Sequence, residues 1–191
     1  MPTYTRAYIP GGAFFFTLVT YRRQPILGQS VARTALRNAI EDVRAVRPFH
    51  IDALVLLPDH LHTIWTLPSE DADFSTHWRL IKYRTTRELA QLVTMDTLQS
   101  TSRQKKQERP VWQRRFWEHA VRDEDEFSAL CDYIHYNPVK HGHARCPHAW
   151  PYSSFRRFVQ ARRYPLAWLC TCNGTNPVAP VIDIGEDLIG E

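Results

Sequence analysis

The sequence lacks any run of 18 consecutive apolar residues, so it predicts no transmembrane helix. Its first residues, MPTYTRAYIPGG, lack the apolar core of a signal peptide, which favours a cytoplasmic location. The chain has only four cysteines, and their spacing is not that of a secreted disulfide framework, so we expect reduced thiols. These absences argue against an integral membrane protein and against a small secreted domain held together by disulfides.

The composition is that of a folded protein with a sizeable core. Of its 191 residues, 43% are hydrophobic and 12% are aromatic. This length predicts one domain with extensions. The segment 94–110 is polar, lacks periodicity and ends in proline, so we expect a basic loop there.

The charge is distributed unevenly along the chain. The formal net charge is +4, but four acidic residues and no lysine or arginine occupy the last nine positions. Residues 1–182 therefore carry 24 basic against 16 acidic residues, a formal charge of +8. This balance favours a polyanionic partner such as nucleic acid, with an acidic tail at the end of the chain.

The hydrophobic pattern predicts the element order β-α-β-β-α-β-α. Strands rich in aromatic and β-branched residues alternate with helices of 3.6-residue periodicity. We expect strands at 13–20, 49–57, 60–67 and 114–121, and helices at 30–46, 73–93 and 123–137, the last ended by Pro138. The order indicates an α+β fold, a ferredoxin-like split βαβ with an antiparallel four-stranded sheet and helices on one face.

Two histidines stand two positions apart in the stretch LLPDHLHTIW. Alternate residues of a strand point to the same face, so His60 and His62 share one face. Taken alone, this pattern is more often a pair of ordinary half-exposed histidines than a metal site. Whether the two histidines form a metal site therefore depends on which side chains another element places beside them.

The last predicted helix offers two polar side chains near its buried face. Tyr133 and Asn137 are i and i+4 neighbours on the flank of the apolar stripe, whereas Tyr136 should face solvent. Taken alone, Tyr133 is more often a core tyrosine than a nucleophile. With His60 and His62, however, the Asn137 oxygen could complete a site for one divalent cation, Mg²⁺ or Mn²⁺, and Tyr133 could attack a phosphate held by that ion.

The sequence resembles the single-tyrosine HUH transposases, and more closely the REP-associated tyrosine transposases. The matching segments span about residues 4–168 and include YIPGGAFFFT, RPFHIDALVLLPDHLHTIWTLP, VWQRRFWEHAVRD, DYIHYNPVKHG and WPYSSF. The resemblance implies an HUH nuclease fold over residues 1–168, followed by a C-terminal extension at 169–191. It also implies that His60, His62 and Asn137 bind the metal and that Tyr133 is the catalytic nucleophile.

The resemblance also implies a substrate. REP-associated tyrosine transposases cleave and rejoin single-stranded DNA beside a REP hairpin that follows a 5′ guide tetranucleotide, through a 5′-phosphotyrosine. They tend to be monomers. For the DNA contacts we consider the basic side chains that interrupt or flank the predicted elements: Arg22, Arg23, Lys82, Arg84, Arg87, Arg103, Lys105, Lys106, Arg114, Arg115, Lys140, Arg156 and Arg157.

Three other interpretations remain open at this point. The chain could be a non-catalytic module that holds single-stranded nucleic acid on a ferredoxin-like sheet. It could be a replication-type HUH nickase, although such enzymes ordinarily carry a further domain. Finally, the histidine- and cysteine-containing segment HGHARCPH could bind zinc together with Cys170 and Cys172, although this spacing fits no standard zinc finger or ribbon.

Overall fold

A four-stranded antiparallel sheet forms the centre of the protein. The computed structural model describes residues 8–91, 109–172, 174 and 177–180. The strands lie in the order β2-β3-β1-β4, so β1 is central and pairs with both β3 and β4. The strands are β1 (Ala13–Val19), β2 (His50–Leu56), β3 (His60–Thr66) and β4 (Trp117–Ala120).

Four α-helices accompany the sheet in the described part of the chain. Short 3-10 turns lie between them. The order of strands and helices is β1-α1-β2-β3-α2-β4-α3-α4, which confirms the predicted ferredoxin-like topology and places the fourth helix after it. The helices are α1 (Ser30–Val46), α2 (Phe74–Glu88), α3 (Glu124–Lys140) and α4 (Phe155–Gln160).

Helices cover both faces of the sheet. Phe14, Phe16 and Trp65 point from the strands toward α1 and α2 and form one apolar core with them. On the opposite face, Phe15 and Ile64 pack against α3 in a second core. The prediction of helices on one face therefore holds for α1 and α2, whereas α3 covers the face to which His60 and His62 point.

The third helix extends further than the sequence predicted. Asp123 caps its N-terminus by accepting a hydrogen bond from the Glu126 amide at 2.8 Å. We expected Pro138 to end the helix, yet it continues to Lys140. A proline this close to the C-terminus removes only one hydrogen bond of the last turn, so the helix tolerates it.

The segment after α3 returns to the edge of the sheet. The Leu56 amide donates to the Tyr152 carbonyl, and the Ser154 amide donates to the Leu54 carbonyl, both at 2.8 Å. This pairing covers the outer edge of β2. The predicted basic loop at 94–110, with Arg103, Lys105 and Lys106, lies almost entirely outside the described residues, as does most of the acidic tail. No helix within the described ranges is long and apolar enough to cross a membrane.

Candidate active site

The two histidines of β3 lie in the interior beneath α3. His60 is 1% exposed and His62 is fully buried, so the interpretation of ordinary half-exposed histidines is wrong. Their ring centres are 4.9 Å apart. Burying two imidazoles this close together costs free energy unless each has polar partners, so the arrangement indicates a functional site.

Each histidine is oriented through its Nδ1 atom. The Asp59 carboxylate oxygen Oδ1 lies 2.7 Å from Nδ1 of His60. Thr17 is the direct partner of His62 across the β1–β3 ladder, and its Oγ1 lies 2.9 Å from Nδ1 of His62. When Nδ1 donates these hydrogen bonds, Nε2 of each ring keeps its lone pair for a metal ion.

Asp59 bridges His60 and the guanidinium of Arg23. Its second oxygen, Oδ2, accepts a hydrogen bond from Nη1 of Arg23 at 3.1 Å. Burial raises the pKa of Asp59, but the hydrogen bonds and charges of His60 and Arg23 outweigh it and hold the pKa below its ordinary value. Arg23, predicted as a DNA contact, thus supports the carboxylate that orients His60.

Tyr133 projects from α3 onto this pair. Its ring centre lies 5.2 Å from that of His62, and only 5% of the residue is exposed. The exposed Lys140, almost two turns later, places its ammonium nitrogen 5.0 Å from the centre of the Tyr133 ring. The structure therefore brings Tyr133 and the two histidines together within one chain, beside a positive charge. Tyr136, expected to face solvent, is half-buried.

Asn137 lies between two contacts that α3 makes with the histidine pair. Tyr133 contacts His62, and His141, at the end of the helix, has its ring centre 5.2 Å from that of His60. Residues 133, 137 and 141 are successive i+4 neighbours, so the fully buried Asn137 shares the helix face that follows the two histidines. In the sequence His141 was considered only as a zinc ligand, so its place beside His60 was not predicted.

Comparison with known proteins places the chain in a family. The model of the family described as "Transposase IS200 like" matches residues 13–137. The chain is also 41% identical over 169 residues to the REP-associated tyrosine transposase of Escherichia coli (strain K12), covering 88% of this chain and 91% of that protein. This chain belongs to the IS200-like transposases, among the REP-associated tyrosine transposases. The resemblance noted in the sequence is thereby confirmed.

Two further comparisons agree that the chain belongs to this family. It is 38% identical over 178 residues to a putative REP-associated tyrosine transposase of Haemophilus influenzae, covering 93% of this chain and 96% of that one. A solved structure of a REP-associated tyrosine transposase bound to a REP hairpin superimposes with a TM-score of 0.72 at 39% identity. That match covers 97% of this chain and 100% of the other. The fold is therefore that of an HUH transposase.

The histidine site of the transposase fits a divalent metal ion. HUH transposases depend in general on such an ion. Two imidazole nitrogens and one amide oxygen are donors that Mn²⁺ and related ions accept, and the hydrogen bonds to Nδ1 leave Nε2 of each histidine as the donor atom. His60, His62 and Asn137 are the residues that would hold the ion.

Several basic residues predicted to contact DNA already bind other parts of the transposase. Lys82 donates to the backbone carbonyls of Gln113 and Arg114, and Arg84 forms an ion pair with Asp42 at 2.6 Å. Apart from Arg23, which is half-buried against Asp59, the other predicted basic residues in the described ranges are exposed. Two of them, Arg156 and Arg157, also donate hydrogen bonds to backbone carbonyls. The remaining exposed residues are Arg22, Arg87, Arg114, Arg115 and Lys140.

A groove between α1 and β2 groups Arg157 with three arginines of α1 that were not among the predicted DNA contacts. It has a volume of about 690 Å³, and Arg33, Arg37, Arg44 and Arg157 line it. The Arg33 guanidinium lies 4.2 Å from the ring centre of Tyr152, which the groove also contains. The arginines of α1 resembled an ordinary solvated helix face in the sequence, because their grouping depends on the return of residues 151–157 to β2.

Proposed function

We propose that this transposase cleaves and rejoins single-stranded DNA at REP-type hairpins, with Tyr133 as the nucleophile. The observation that carries the proposal is the 5.2 Å separation between the rings of Tyr133 and His62, beside His60. The structural relative bound to a REP hairpin supports the class of substrate. We further propose that a 5′ guide tetranucleotide precedes the hairpin.

The chain's own residues account for the covalent step. The Tyr133 hydroxyl oxygen attacks the scissile phosphorus, a Tyr–O–P bond forms, and the bond from phosphorus to the 3′ oxygen breaks. The phenolic proton passes to solvent, and the nearby Lys140 ammonium stabilises the developing phenolate. The leaving 3′ oxygen takes up a proton from solvent, so the products are a 5′-phosphotyrosine and a free 3′-hydroxyl. Attack by a 3′-hydroxyl on the phosphotyrosine rejoins DNA without ATP, because the phosphodiester energy is conserved.

We assign metal binding to His60, His62 and Asn137. When bound, Mg²⁺ or Mn²⁺ would act as a Lewis acid on the scissile phosphate. Asp59 and Thr17 each contact Nδ1 of one imidazole, so Nε2 is the atom that each ring would offer to the ion. A donor set with two nitrogens favours Mn²⁺ over Mg²⁺ in binding strength.

A single chain is sufficient for this chemistry. Tyr133 and the histidine pair meet within one protomer, so no tyrosine helix from a second copy is required. We therefore propose a monomer with the catalytic domain at residues 1–168 and an acidic tail at 169–191. Because the proposed substrate is DNA, we propose that it acts in the cytoplasm.

DNA cleavage with a hairpin oligonucleotide tests the proposed function. Protein, Mn²⁺ and a labelled oligonucleotide with a REP-type stem should give a cleaved strand with a 3′-hydroxyl, and an oligonucleotide of the same composition without the stem should stay intact. His60→Ala and His62→Ala should abolish cleavage but leave hairpin affinity nearly unchanged. Binding without cleavage by the unaltered protein would instead indicate a non-catalytic nucleic-acid module.

A further inference from the structure

We propose that Cys146, His148, Cys170 and Cys172 form a structural zinc site. One ring nitrogen of His148 and the sulfurs of Cys146 and Cys170 all lie within 4.8 Å of one another. The sulfur of Cys172 lies 2.7 Å from that of Cys170. None of the four residues belongs to the histidine pair, so this site would be independent of the catalytic one.

The structure separates the histidines of the HGHARCPH segment into two groups. His141 contacts His60, and the ring of His143 stacks on Trp150 with centres 5.4 Å apart. His148, by contrast, lies with Cys146 and Cys170. Of the histidines and cysteines that the sequence offered for zinc, four therefore remain as candidate ligands. They come from the short segments 146–148 and 170–172.

Three thiolates and one imidazole are a common ligand set for structural zinc. A Zn–S bond of about 2.3 Å in tetrahedral geometry separates two sulfur ligands by about 3.8 Å. This is wider than the 2.7 Å between the sulfurs of Cys170 and Cys172, so zinc binding requires these side chains to move apart. In the structure Cys146 and Cys170 are linked as a disulfide, in contrast to the expected reduced thiols, and Cys172 crowds against Cys170. A disulfide uses two of these sulfurs, whereas a zinc ion uses all three.

Loading of the site requires no oxidant. In newly made protein, the three thiols release their protons to solvent, three Zn–S bonds form, and His148 supplies a neutral nitrogen. A Cys146–Cys170 disulfide already present would first take two electrons from a thiol reductant. Disulfides are rare in the cytosol, where grouped cysteines more often bind metal.

Hydrogen bonds around the group hold its ligands in place. Nδ1 of His148 donates to the Leu166 carbonyl at 3.0 Å, which leaves Nε2 available for the ion. The amide and the hydroxyl of Thr171 both donate to the Arg145 carbonyl, at 2.9 and 2.8 Å. The two ligand segments are thus joined side by side before any metal binds.

The zinc ion would link residues 170–172 to the loop that follows α3. That loop starts at His141, which contacts His60, and continues to Trp150, whose indole nitrogen donates to the Leu56 carbonyl of β2 at 3.0 Å. Zinc would therefore stabilise the region that supports the C-terminal end of α3. We expect its removal to lower thermal stability more than it alters DNA cleavage chemistry.

Cobalt spectroscopy on the full-length chain tests the proposal. The protein is expressed without a histidine tag, purified under a phosphine reductant, freed of metal and titrated with Co²⁺. One tightly bound equivalent should give intense visible bands and a near-ultraviolet sulfur-to-cobalt band. The His60/His62 site has no sulfur ligand, so the sulfur-to-cobalt band reports the cysteine site alone. Protein as purified should contain about one zinc per chain.

Variants separate the cysteine site from the other thiol and from the histidine pair. Cys170→Ser with Cys172→Ser should abolish the sulfur band and the bound zinc, whereas Cys131→Ser should keep both. Cys131 is a matched control because it lies on the buried face of α3, where burial raises its pKa to about 12. His60→Ala with His62→Ala should also keep the band. If the unaltered reduced chain gives no sulfur band and contains no zinc, the proposal is wrong, whether or not the variants fold.

Discussion

Thr17 and His62 face each other across the β1–β3 ladder, with the threonine hydroxyl oxygen 2.9 Å from Nδ1 of the histidine. The contact orients His62, whose ring centre lies 5.2 Å from that of Tyr133. A strand pairing, rather than a loop, therefore sets the orientation of a proposed metal ligand. Sites built on paired strands hold their geometry more closely than sites built on loops.

Thr17→Val should weaken metal binding at the histidine pair. Loss of a hydrogen bond that orients a metal ligand typically costs about 10- to 100-fold in affinity or activity. The Mn²⁺ concentration that gives half-maximal cleavage should rise accordingly. Thr63→Val is the matched control, since Thr63 is equally buried in β3 but bonds the Ala53 carbonyl. An unchanged Mn²⁺ dependence in Thr17→Val would show that this hydroxyl does not position His62.

Arg23→Gln should affect the metal site more than DNA affinity. Arg23 pairs with Asp59, whose other oxygen binds His60, so its loss removes support from that imidazole. We expect a several-fold higher Mn²⁺ requirement and nearly unchanged hairpin binding. Arg84→Gln serves as a control because its partner is Asp42 on α1. A marked loss of hairpin affinity with a shallower salt dependence would instead make Arg23 a phosphate contact, as first predicted.

Arg37→Gln should weaken hairpin binding if the groove between α1 and β2 holds DNA. Arg37 is exposed and lines the groove. Loss of one phosphate contact should reduce the slope of log affinity against log salt concentration by about 1. The rate of adduct formation at saturating DNA should not change. Arg79→Gln, an exposed arginine of α2 that does not line the groove, should leave the slope unaltered.

His135 should make the folded state sensitive to mild acid. It is buried among Phe155, Phe158 and Tyr164, and burial lowers its pKa from 6.5 to about 3. The folded protein thus holds neutral His135, whereas the unfolded chain takes up a proton below pH 6.5. This contribution to stability is complete above pH 6.5 and is lost as the pH falls toward 3.

Urea unfolding at two pH values measures this effect. Between pH 7 and pH 5 the contribution of His135 should fall by about 2 kcal/mol. His135→Gln keeps an amide that can bond the Ser154 hydroxyl but cannot titrate in this range. The variant should therefore lose less stability than the unaltered protein over the same interval. Equal losses in both proteins would place the acid sensitivity elsewhere.

The sequence predicted much of the site because its determinants are local. Strand periodicity placed His60 and His62 on one face, and helix periodicity placed Tyr133 and Asn137 together. His141 was missed for a specific reason: Pro138 was expected to end the helix, and the helix instead carries its register to the position beside His60. Proline removes only its own hydrogen bond to the preceding turn, so its position alone did not fix the last residue of the helix.

The remaining features depend on contacts between distant segments. Arg84 pairs with Asp42, 42 positions away, and Lys82 binds carbonyls 31 and 32 positions away, so neither partner could be inferred from local pattern. The groove arginines of α1 and the pairing of Cys146 with Cys170 likewise require the return of the C-terminal segment. Sequence patterns identify which residues share a face, but tertiary packing determines which charges meet.

The covalent adduct with Tyr133 is the most direct test of the account. Protein, Mn²⁺ and a hairpin oligonucleotide labelled on the 3′ side of the cleavage site should give an SDS-resistant complex, and peptide mass analysis should locate the DNA on residue 133. Tyr133→Phe should abolish the complex, while Tyr136→Phe, one turn away and half-buried, should largely retain it. A complex that persists in Tyr133→Phe and disappears in Tyr136→Phe would contradict the assignment of the nucleophile.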